Sequence, residues 1–123
     1  MGWRSLLAVL AGGILGTGLR LGIDTLVTQP LSTLVINVVG AFALGLLVSR
    51  VWPTARDWVR AGLGPGLLGS FTTFSAFAVT LVSLGASDEW MTALAYLVAT
   101  LVLGLAGAWA GLRLGRRGSA VTR

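Results

Sequence analysis

One asparagine, Asn37, lies in the middle of an apolar run, four residues after Thr33. Four residues make just over one helical turn, so the two side chains share a face. Tyr96 and Thr100 repeat that spacing in a later run. Between them comes a third cluster, Thr72, Thr73 and Ser75, interleaved with the aromatic pair Phe74 and Phe77, which stand three apart and also share a face. None of these groups is charged, yet each presents positive potential: the amide through its N–H bonds, the hydroxyls through O–H, the rings through their edges. Such donors can replace an anion's water without trapping the ion as a full positive charge would. The set suits a small, strongly hydrated halide. Plainer uses stay open, since threonines form interhelical hydrogen bonds of about 0.6 kcal/mol on average and a phenylalanine pair packs well against core or lipid. Asn37 has the fewest such outlets, because an amide is costly to bury unpaired.

What is missing narrows the chemistry further. There is no cysteine and no histidine, which removes thiolate nucleophiles, disulfides, imidazole bases and soft metal sites. The four acids, Asp24, Asp57, Asp88 and Glu89, fall in expected loops or at helix ends. A proton-coupled exporter of the small multidrug type, the alternative reading for four short helices, needs an ionisable side chain at depth, and none is present. The sequence therefore reads as a non-enzyme, and a structural membrane subunit without transport is the third reading.

The elements that must position these residues are membrane helices. Hydrophobic residues make up 55% of the 123 positions and charged residues 11%, far below the roughly one-quarter charged content of soluble domains. One unit of this length forms a single four-helix transmembrane domain, an all-α membrane protein with spans near 3–21, 31–51, 59–84 and 90–114 and a polar tail over 115–123. The first span, with no small-residue cleavage site near its end, reads as retained and not as a signal peptide. The third carries Gly62, Gly64, Pro65, Gly66 and Gly69 and is expected to break in mid-membrane, a state tolerated only where protein or a water-filled cavity surrounds the freed backbone. Its alternative is an unbroken glycine-rich helix packed closely. Gly12 and Gly16, Gly18 and Gly22, and Gly107 and Gly111 are spaced for close helix approach.

The run from Gly66 to Phe77, Gly-Leu-Leu-Gly-Ser-Phe-Thr-Thr-Phe-Ser-Ala-Phe, resembles the third-helix signature of the Fluc (CrcB) family of fluoride channels. Leu34 to Phe42, around Asn37, is similar to that family's second-helix motif, and Gly12 to Gly16 through Arg20 to its first-helix motif. The resemblance covers essentially the whole chain. It implies an antiparallel dimer with two fluoride pores and passive fluoride export that relieves toxicity. By position, Phe74 and Phe77 would form an aromatic box, Asn37 an amide donor beside the path, and Tyr96 and Thr100 a polar track. Thr33, Thr73, Ser75 and Arg20 join them as path residues. The backbone carbonyls of Gly69 and Thr72 would bind a structural sodium ion on the dimer axis, consistent with the role of unwound carbonyls in broken membrane helices. Ser70 stands where a second glycine is common, Ala41 where serine is common, and Gly104 where the polar track would continue. A position needing positive φ accepts serine less readily than glycine.

The net charge of +5 is no nucleic-acid footprint, because the arginines sit at the ends of apolar runs. Four spans place eight arginines on the side of the termini and second loop, against Arg20 alone on the other. The positive-inside rule then sets both termini in the cytoplasm, with the chain in the inner (plasma) membrane among its lipids. An antiparallel homodimer needs one chain inserted both ways and so little arginine bias. This bias favours pairing with an oppositely oriented paralogue, while a homodimer stays open.

Overall fold

A computed structural model describes residues 2–121 of the chain. Helix α1 spans Trp3–Leu26, and α2 spans Leu31–Leu46 before widening into a π-helical turn over Leu47–Val51. The third segment opens with α3 (Asp57–Ala61), continues as π-helix over Gly62–Leu68, and closes with one α-helical turn, α4 (Gly69–Phe71). Pro65 sits inside the π-helical stretch. A proline lacks the N–H of an α-helical bond and crowds the preceding turn, and the wider winding accommodates it. Thr72 (φ −79°, ψ 155°) and Thr73 (φ −148°, ψ 117°) are extended. Helix α5 (Phe74–Ala86) follows, and α6 (Trp90–Val121) completes the chain. There is no strand among the described residues.

Four helical stretches are long and apolar enough to cross a membrane: Trp3–Leu26, Leu31–Val51, Asp57–Ala86 and Trp90–Arg117. Their ends correct the sequence boundaries. Helix α1 runs on from the expected 21 to Leu26, because nothing before Pro30 breaks it, and Thr25 donates to the Gly22 carbonyl within its last turn (2.7 Å). The expected tail over 115–123 is helical as far as Val121, since arginine is a good helix former and no proline intervenes. Residues 122 and 123 lie outside the described part.

The spans pack in alternation. Helix α1 lies against the third segment, and α2 against α6. Both contacts are backbone to backbone: a Cβ on Gly12 would collide with the Gly62 carbonyl, and one on Gly111 with that of Phe42. The pair Gly18 and Gly22 departs from expectation, as a Cβ on either would meet nothing within 4 Å. The loop between α2 and α3 is closed by Arg60, whose Nε and Nη2 both donate to the Trp52 carbonyl (3.1 and 2.7 Å). Few side chains are fully enclosed, and Ile14 (67% exposed) and Leu105 (72%) face outward as lipid-bathed helices require.

Candidate functional site at the third segment

Where α4 stops, the backbone must find new partners, and Asn37 supplies them. Its Oδ1 accepts from the Thr73 N–H (2.8 Å), and its Nδ2 donates to the Thr73 carbonyl (2.9 Å). The side-chain amide thus pairs with both backbone groups of one residue of the third segment, Thr73. Thr73 then begins the next helix as its N-cap, its Oγ1 accepting from the Ala76 N–H (3.1 Å) and lying 3.2 Å from Ser75 Oγ.

These bonds release two carbonyls. In an unbroken helix Thr73 N–H would donate to the Gly69 carbonyl and Ala76 N–H to that of Thr72. Both donors are engaged elsewhere, so the Gly69 and Thr72 oxygens lose their helical partners. Both residues line one cavity of 530 Å³ together with Asn37, Thr73, Phe74, Phe77 and Thr100. Bare carbonyl oxygens are hard donors, the kind that suits a sodium ion and not a soft metal. No group of three or more histidine, cysteine or carboxylate side chains could hold a metal among the described residues.

An aromatic ladder runs inward from the cavity. The Phe74 ring, 79% exposed, stands 5.8 Å from that of Phe77 at 53°, and Phe77, only 8% exposed, stands 5.4 Å from Tyr96 at 36°. The Tyr96 hydroxyl lies near those of Thr33 and Thr80, yet among the described residues neither it nor the buried Thr100 hydroxyl completes a hydrogen bond. Thr33 is buried and donates instead to Gln29 Oε1 (2.7 Å). Gln29 Nε2 reaches Asp24 Oδ1 at 3.5 Å, and Ser32 Oγ donates to the same oxygen.

Most residues singled out in the sequence thus come together here. Asn37, Thr73, Phe74, Phe77 and Thr100 share the cavity, and Thr33 and Tyr96 lie behind it. Ser75 is exposed beside Thr73, and Arg20, half-buried on α1, does not line the cavity. Sequence reasoning missed Thr80, Gln29 and Ser32. Thr80 had a signal, since it continues the three-residue stripe of Phe74 and Phe77. Ser70 is α-helical and donates to the Gly66 carbonyl (2.7 Å), so its position demands no positive φ. Gly104 opens onto empty space.

The model of the family described as CrcB-like protein, Camphor Resistance (CrcB), matches residues 7–112. Among relatives, the chain is 39% identical over 118 residues to the "Fluoride-specific ion channel FluC" of Paracoccus denitrificans, covering 92% of this chain and 95% of that one. A protein of the same name from Chloroflexus aurantiacus is 38% identical over 121 residues, covering 92% and 96%, and one from Rhodospirillum centenum is 39% identical over 120, covering 90% and 94%. With a family match over most of its length and relatives aligned nearly end to end, this chain belongs to the CrcB family.

Proposed function

We propose that this chain forms a fluoride-specific channel through which fluoride leaves the cytoplasm passively. The observation that carries the reading is the pair of buried hydroxyls on Tyr96 and Thr100 that have no hydrogen-bond partner among the described residues. Leaving such a group unsatisfied costs about 1–3 kcal/mol, unless a water or an ion completes it. Tyr96 stacks beside Phe77, and Thr100 lines the cavity that Asn37 and Phe74 share, so donors and ring edges form one continuous series. The name carried by the relatives supports fluoride as the ion. Because the family is one of ion channels, the chain is a transport protein and not an enzyme.

Two further parts complete the reading. An antiparallel partner, a second copy or an oppositely oriented relative, covers exposed Phe74 and closes the cavity into a pore. The Gly69 and Thr72 carbonyls would hold a structural sodium ion on the dimer axis, one that would offset the charge of oxygens without helical partners and would not itself be transported.

Fluoride efflux from liposomes holding the purified chain in sodium buffer tests the proposal. Efflux is expected to exceed chloride efflux by orders of magnitude. Phe74→Ile should lower it at least tenfold while leaving the helical fold intact, since that ring is mostly exposed. Equal fluoride and chloride rates, or an undiminished rate in the variant, would remove the channel reading of this cavity.

A further inference from the structure

At the end of the molecule opposite the α1–α2 loop, Trp3, Arg4 and Leu7 of α1 meet Arg56 and Trp58 at the start of the third segment around a cavity of 340 Å³. Among the described residues no carboxylate lines it, Asp57 standing between Arg56 and Trp58 in the chain but outside the lining. Its volume falls within the roughly 300–1,000 Å³ usual for small-molecule sites. The Arg4 guanidinium lies 5.8 Å from the centre of the Trp3 ring, a cation–π placement that does not use its N–H groups. Ala8 and Trp58 belong both to this cavity and to an adjoining groove of 220 Å³ that descends between α1 and the third segment. The groove is lined by Ala11, Leu15, Val59, Leu63 and Leu67, and among the described residues no charged or hydroxyl side chain lines it. Its floor is closed by Gly12, packed against the Gly62 carbonyl.

We propose that this cavity and groove form a binding site for one anionic phospholipid, with the headgroup phosphate between Arg4 and Arg56 and an acyl chain along the groove. Two cations without a carboxylate call for an anion, and two tryptophans mark the depth at which headgroups lie. A free phosphate would leave the apolar groove unfilled. In the orientation that the arginine bias favours, this end lies in the cytoplasmic leaflet, where anionic lipids give the surface its negative potential. The site is independent of the ion the channel carries.

Native mass spectrometry of the detergent-purified chain, offered equimolar phosphatidylglycerol and phosphatidylcholine of identical acyl chains, tests the site. The wild type is expected to retain phosphatidylglycerol about tenfold over phosphatidylcholine. R4Q/R56Q should lose that preference, R4K/R56K should keep it, and A11W, which fills the groove, should lower retention of both lipids several-fold. Millimolar inorganic phosphate should not displace the lipid. Retention of both lipids equally by the wild type, an unchanged preference in R4Q/R56Q, or displacement by phosphate alone would overturn the proposal. So would an A11W chain that keeps its lipid but loses a partner subunit, which would assign the groove to a second copy.

Discussion

Asn37 is bound to backbone at both ends of its amide, which alters what its substitution should do. An amide N–H remains beyond the one donated to Thr73, so a role beside an ion and a role in holding the third segment are compatible. Asn37→Ala leaves the Thr73 N–H and carbonyl unpaired in a half-buried place, and should lower stability by about 1–3 kcal/mol, visible as a reduced melting temperature in detergent. Phe74→Ile should leave that melting temperature nearly unchanged, so the two variants separate support of the site from contact with the ion. Asn37 stood out in the sequence as the one amide in an apolar run, but its partner could not be read there. The pairing spans 36 positions and depends on the approach of α2 to the third segment, which no local spacing encodes.

Among the elements, α2 and α6 are held by glycines that admit the opposing backbone. Gly45 meets the Ala108 carbonyl, Gly111 meets that of Phe42, and Gly115 meets the Ser49 side chain. Gly111→Ala should force the helices apart and destabilise the fold by about 1–3 kcal/mol, read by thermal unfolding in detergent. Gly22→Ala, with nothing near its Cβ, should instead be neutral or stabilising by up to about 1 kcal/mol, because alanine favours the helix. The four spans were legible from hydropathy, since about 20 apolar residues per crossing is a strong signal. Their ends were not, because helices α1 and α6 continue past the apolar stretch where no proline interrupts them. Spacing likewise could not separate Gly18 and Gly22, which face open space, from Gly107 and Gly111, which do not.

For the whole molecule, the proposed sodium site and the arginine bias give separate expectations. Replacing sodium by a large organic cation should shift the purified protein from dimer to monomer on size-exclusion chromatography. An unchanged dimer fraction would detach the Gly69 and Thr72 carbonyls from assembly. Labelling single cysteines placed in the α1–α2 loop and in the α2–α3 loop of intact cells should mark the first outside far more than the second; equal labelling would indicate dual insertion and a homodimer. The alternating packing of spans has a consequence for how the protein is made. The first span pairs with the third and the second with the fourth, so no two consecutive spans form a self-sufficient hairpin. As the chain emerges from the ribosome, the glycine face of α2 waits for α6, the last helix to be synthesised. Until then its close-packing surface is open to lipid and to other chains. A nascent protein stalled before α6 should therefore be a substrate for membrane quality control, and the moment of its release is when the fold can first close.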